Sequence, residues 1–175
     1  FICSSIHPTF MAAIKLETRI LAPIEICFDV SRDIDVHIES TKHTGERAIA
    51  GKTSGLIGLG ESVTWRAKHL GFWQTLSSEI TAFSYPTYFV DEMTQGAFAS
   101  FKHEHIFEVK ENHTLMTDVF QFESPLGVLG KLVNTLFLTA YMRNLLLLRN
   151  DVIKKEAERL AQTKLKHACD PASNF

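Results

Sequence analysis

The sequence predicts an α+β domain in which a curved antiparallel sheet of six to seven strands holds a long C-terminal helix. Three observations carry this expectation. Between residues 61 and 123 lie five runs rich in aromatic and β-branched side chains, separated by turn signals of a few residues. Connections that short join antiparallel hairpins. After them comes Ser124-Pro125, an N-cap residue followed by a proline at the first helical position, and helix formers then dominate to about Gln162. A chain of 175 residues is also the usual size of one domain with a single core.

The elements read in order as follows. Residues 15–21 alternate as a short strand. Pro23 stands where a helix begins, and Ile24, Cys27, Phe28 and Ile34 form its apolar stripe. A second short helix is expected over 33–42, so two short helices separate the first two strands. Residues 47–51 make the second strand. Residues 52–60 hold Gly55, Gly58 and Gly60 and read as a mobile loop able to gate a cavity mouth. The strands follow at 61–68, 72–83, 87–94, 98–109 and 114–123. The final helix, on the order of 50 Å long at 1.5 Å per residue, matches strands of roughly 25–40 Å. It can therefore span the concave face of the sheet. The domain is expected over 12–164. The opening FICSSIHPTF lacks an initiator Met and a basic n-region. Met11 reads as a natural start, so residues 1–11 are set aside as a non-native or disordered leader, and 165–175 as a disordered tail.

Hairpin geometry converts the strands into a list of inward side chains, because directly opposed residues share a face. A turn centred between Glu111 and Asn112 places His105 opposite Asp118 and His103 opposite Phe120. A turn centred at Ala97 places Asp91 opposite His103 and Phe89 opposite His105. A turn between His69 and Leu70 pairs Trp65 with Gln74 and Val63 with Leu76. The resulting inner face is apolar except for Asp91, His103, His105 and Asp118. Burying these groups unpaired is costly, so Asp118 is expected to pair with His105, and Asp91 with His103.

Composition narrows the function. With 45% hydrophobic and 22% charged residues and a net charge of −2, the chain carries no basic footprint for nucleic acid. No run of 18 apolar residues occurs, since Lys131, Asn134, Arg143 and Asn144 interrupt the richest stretch, so a transmembrane segment is not expected. Three cysteines, an odd number without metal-type spacing, fit a cytoplasmic location better than a disulfide framework. GERAIAGKT is not a phosphate loop: five residues separate Gly45 from Gly51, and no helix follows.

The stretches GLIGLGESVTWRAKHLG, YFVDEMTQGAFASFKHEHIFE and DVFQFESPLGVLGKL resemble the polyketide cyclase/dehydrase-like, START-related superfamily (SRPBCC) over roughly residues 13–158. The resemblance rests on Trp65, Asp91, Gly96, Phe98, His103, His105, Asp118, Pro125, Gly127, Leu129, Gly130 and Arg149. It implies the helix-grip fold, in agreement with the hairpin argument. It leaves function open among lipid carriers, receptors and aromatase/cyclases.

The expected function is binding, transport or sensing of a hydrophobic or amphipathic small molecule, lipid or polyketide-like, in an internal cavity. Trp65, Phe89, Met93, Phe101, Met116 and Phe120 are expected as its apolar wall. Asp91, His103, His105 and Asp118 orient a polar group, and Leu129, Val133 and Leu136 of the last helix close the cavity. The alternative is a cyclase/dehydrase-type enzyme using His105 and Asp118 as an acid–base pair. His103 and His105, at i and i+2 on a strand, point the same way and with Asp91 or Asp118 could complete a metal site. Because aromatic rings crowd that face, His–carboxylate pairing is preferred, and no metal or cofactor is expected. The apolar stretch around Phe137, Leu138, Tyr141 and 145–148 is assigned to core packing, with a homodimer or membrane surface as its alternative use.

Overall fold

The computed structural model describes residues 11–123 and 131–169, with side chains of the last helix described over 136–167. Strand β1 (Ala12–Ile20) is followed by helices α1 (Ile24–Ser31) and α2 (Ile34–Ser40). Then come β2 (Arg47–Gly51), β3 (Ser62–His69), β4 (Phe72–Ser84), β5 (Tyr88–Gln95), β6 (Ser100–Lys110), β7 (His113–Glu123) and α3 (Lys131–Cys169). All seven strands form one antiparallel sheet in the order β1-β7-β6-β5-β4-β3-β2. This is the helix-grip arrangement that the sequence implies.

Local chemistry explains the helical boundaries. The Pro23 carbonyl accepts from the amides of Ile26 and Cys27 and so opens α1. Asp33 caps α2 by accepting from the amides of Asp35 and Val36. The start expected for α3 at Ser124-Pro125 lies outside the described residues. The helix continues through Cys169, past the expected end near Gln162 and into the stretch assigned to the tail. Its 39 residues span about 58 Å at 1.5 Å per residue.

The register of β5, β6 and β7 is the one expected: Phe89 opposes His105, Asp91 opposes His103, His103 opposes Phe120, and His105 opposes Asp118. The β3–β4 register differs by two residues. Trp65 opposes Leu76 rather than Gln74, and Val63 opposes Ser78 rather than Leu76. The turn there is Leu70-Gly71, both at positive φ (52° and 87°), the two-residue geometry that follows the strand twist. An even shift leaves the inward face unchanged.

The loop expected to be a mobile gate is tied down on one side. The Ile34 amide donates to the Gly55 carbonyl, the Ile57 amide donates to the Arg32 carbonyl, and the Gly55 amide donates to the Asp35 carboxylate at 2.9 Å. Ile57, within the loop, is buried.

The core forms two apolar clusters. One surrounds Phe28, Phe89, Phe107, Met116 and Ile153; the other gathers Phe101, Phe120, Phe122 and Leu146. Phe28 is fully buried and meets Phe83, Tyr85, Phe89 and Phe107 edge-on, with centroids 5.2–5.4 Å apart. The first half of α3 is less buried than core packing requires. Leu146 is enclosed, but Phe137, Leu147 and Leu148 are about half exposed. A helix lying on one face of a sheet has only one side to bury, so the other side of this apolar stretch faces outward. No helix among the described residues is long and apolar enough to cross a membrane.

Phe28→Ala is expected to cost about 3–5 kcal/mol of stability in urea unfolding. Phe72→Ala, at a side chain 74% exposed on the hairpin tip, should change it by less than about 0.5 kcal/mol.

Candidate functional site

The two apolar clusters are separated by a polar band. On β6 the inward residues run Phe101, His103, His105, Phe107, so two histidines stand between a phenylalanine of each cluster. On β7 the run is Met116, Asp118, Phe120, and on β5 it is Phe89, Asp91, Met93. Helix α3 repeats the pattern with Leu146, then Arg149 and Asn150, then Ile153. Sheet and helix therefore bring their polar layers to the same level.

Asp118 is at the centre of that band and is fully buried. Its Oδ1 lies 3.0 Å from His103 Nε2 and 3.4 Å from the Arg149 guanidinium, which donates to it. Its Oδ2 accepts from Asn150 Nδ2 at 2.7 Å. His105 Nδ1 is 2.9 Å from the same Oδ1 but off the hydrogen-bonding direction. His105 Nε2 instead faces Asp91 Oδ1 at 3.4 Å. The hydrogen bonds are thus crossed relative to expectation: His103 bonds Asp118, and His105 bonds Asp91. Directly opposed residues share a face, but the imidazole rings lean along the strand and reach the diagonal neighbour.

Burial alone would raise the Asp118 carboxyl, but the contacts from His103 and His105 hold it well below the usual carboxylate range. Asp91 is lowered too, because His105 and the nearby His103 outweigh its burial. His103 is pushed down to about 4 by burial and by His105, against the opposing pull of Asp118.

A cavity of about 220 Å³ opens beside this band. Of the residues expected to line it, Trp65, Phe89, Asp91, Phe101, His103, His105 and Phe120 do so. Asp118 lies behind the histidines, not on the wall. Met116 is fully buried in the solid core, where its sulfur accepts from the Ser31 hydroxyl at 3.4 Å. Met93 packs against the second apolar cluster. Leu129 and the side chain of Val133 lie outside the described residues. Leu136 is 68% exposed and does not face the cavity. The helix presents Leu138, Met142, Leu145 and Arg149 instead, a stripe on another side. The first half of α3 is apolar all round, so its periodicity carries no phase.

Sequence reasoning also missed a second polar group on the wall. His37 stacks on Trp65 with centroids 4.2 Å apart and reaches Glu46 at 3.2 Å. His69 shares a 2.8 Å hydrogen bond with Tyr141 of α3. These residues lie far apart in sequence on helix, loop and strand ends, and nothing local links them. Arg149 and Asn150 did leave a signal: they interrupt the helical stripe Leu146, Ile153, Ala157 at i+3 and i+4 spacing.

No family model matches the chain, and no curated protein matches it. Solved structures do. The protein TTHA0849 from Thermus thermophilus superposes with a TM-score of 0.70 at 13% identity, covering 86% of this chain and 99% of that one. The Zhui aromatase/cyclase from a Streptomyces species gives 0.67 at 14% identity, covering 86% and 95%. The major latex-like protein 151 from Panax ginseng gives 0.60 at 16% identity, covering 84% and 97%. The likeness drawn from the sequence motifs therefore holds at the level of the fold.

Asp118→Ala should cost about 3–5 kcal/mol in urea unfolding, because it strands Arg149 in the interior. Asp91→Asn, at a side chain 25% exposed, should cost less than about 1 kcal/mol. Equal losses at the two positions would contradict Asp118 as the anchor of the band.

Proposed function

We propose that this protein binds a small hydrophobic or amphipathic molecule in the cavity between sheet and α3, for transport or sensing. The observation that carries the reading is the division of the cavity wall. Trp65, Phe89, Phe101, Phe120 and Leu145 offer apolar surface, while Asp91, His103, His105 and Arg149 border the same space. A few convergent polar groups in an apolar cleft are what orients an amphipathic ligand. The volume, about 220 Å³, lies below the roughly 300–1,000 Å³ of drug-sized sites. It favours a compact molecule, such as a small polyketide-like aromatic, over a long-chain lipid. That an aromatase/cyclase shares the fold is compatible with this class of ligand.

A second reading, a cyclase/dehydrase-type reaction, is favoured by one feature. His105 meets the cavity on one side and stacks on Phe89 at 4.1 Å, with Asp91 on its Nε2. There His105 would be the acid–base group, and Asp118 would position it rather than touch substrate. Turnover of an aromatic polyketide that collapses in His105→Ala with folding intact would establish this reading.

Binding is tested with the amphipathic dye anilinonaphthalene sulfonate, in chelator-treated buffer, followed by quenching of Trp65 in a Trp73→Phe background, which removes the other, exposed tryptophan, and by native mass spectrometry. One saturable site is expected. Ala67→Leu, which adds bulk at a cavity-lining position, should weaken it by about 10-fold or more. A dye that fails to saturate, together with no bound species from a panel of small aromatic compounds, would refute the proposal.

A further inference from the structure

We propose that Asp91, His103 and His105 form a site for one divalent transition-metal ion, open to the cavity. Their ligand atoms lie within 4.8 Å of one another, the one such group among the described residues. The antiparallel register places Asp91 opposite His103, and the period of two along β6 sets His105 on the same face.

The separations favour an ion over hydrogen bonds. Asp91 Oδ1 is 3.4 Å from His105 Nε2 and 3.7 Å from His103 Nδ1. The first is a long, weak hydrogen bond and the second is none. An ion about 2.0–2.2 Å from each of three tetrahedral ligands holds those ligand atoms roughly 3.3–3.6 Å apart. The two contacts of Asp91 lie close to that spacing, and the histidine nitrogens lie within 4.8 Å of each other.

The far side of each ring is arranged correspondingly. His103 Nε2 lies 3.0 Å from Asp118 Oδ1, and His105 Nδ1 lies 2.9 Å from the same oxygen. Asp118 thus hydrogen-bonds His103 and stands close to His105, off its hydrogen-bonding direction, in both cases at the nitrogen turned away from Asp91. Metal-bound histidines characteristically find a carboxylate behind them, which orients the ring and raises its donor strength. Asn150 and Arg149 fix Asp118 in turn.

Charge points the same way. Asp91 and Asp118 bring two negative charges to a band whose one permanent cation among the described residues is Arg149. One negative charge remains and attracts a cation: a divalent ion would leave the band at a net +1, whereas an imidazolium would neutralise it, which is the rival arrangement. The aromatic residues do not obstruct the ion. Phe89 stacks on the face of His105, its ring inclined by 19°, whereas the nitrogen lone pairs lie in the imidazole plane.

Two imidazoles and one carboxylate suit zinc, iron, cobalt or manganese. Three protein ligands leave at least one position for water or a ligand oxygen. Asp91, His103 and His105 all border the cavity, so that position would face any molecule held there. The inference does not depend on an organic ligand.

Chelator-stripped protein is titrated with Co(II) and followed by visible d–d absorption. The expected result is one equivalent bound, with the spectrum of a low-coordinate, histidine-ligated ion, and one Zn(II) per chain by elemental analysis after desalting. Asp91→Asn should weaken Co(II) binding by about 10-fold or more, as should His105→Gln, with unchanged far-ultraviolet circular dichroism. His113→Ala, at a histidine on the distant β6–β7 turn, should leave binding intact. No d–d bands and no retained zinc would overturn the proposal, as would binding equally strong in Asp91→Asn and His105→Gln. Because the dye titration is done under chelation, failure here leaves the cavity reading standing, and failure there leaves this one standing.

Discussion

The buried carboxylate of Asp118 is the constraint on which the rest of the interior depends. A charge enclosed without partners would cost several kcal/mol, so neighbouring elements must deliver donors. His103 comes from β6, and Arg149 and Asn150 come from α3. The same two helix residues reach further. Arg149 donates to the Ser31 carbonyl at the end of α1, and Asn150 donates to Thr18 of β1. One acidic side chain thereby ties sheet and helices together. A rotation of α3 that withdrew its donors would strand the carboxylate. Apolar packing, which is non-directional, does not impose so specific a penalty.

This polar layer also explains why the core is divided. Phe28 and its ring partners fill one end, while Phe101, Phe120 and Phe122 fill the other. Between them the histidines, Asp91 and Arg149 meet a cavity rather than more side chains. Polar groups that are satisfied on one side only can accept a further partner on the other. The interior therefore holds these polar groups at the wall of a space.

Much of this was legible in particular residues. The alternation Phe101, His103, His105, Phe107 and the short turns on either side of β6 announced an inward polar pair. Register arithmetic then brought Asp91 and Asp118 to it. The β3–β4 pairing was misplaced by two residues because the sequence marks the Leu70-Gly71 turn only weakly. The partners of the histidines were crossed because opposition along the ladder does not set how a long ring leans. Leu136 was placed on the cavity side because a helix half that is apolar all round offers no stripe to orient it.

Element order, the antiparallel class of the sheet, and the side chains of β5, β6 and β7 that share its inner face can all be read from the chain's residues alone. Those properties follow from short-range rules: turn length, the period of two and the caps of helices. Three-dimensional packing, by contrast, decided that Arg149 and Asn150 complete the Asp118 network. It likewise decided that His37, Glu46, His69 and Tyr141 join the cavity wall, and that Met116 and Asp118 lie behind it. Those contacts depend on the rotation of a long helix over a twisted sheet. That rotation is set by packing and charge across many tens of residues, and no local pattern encodes it.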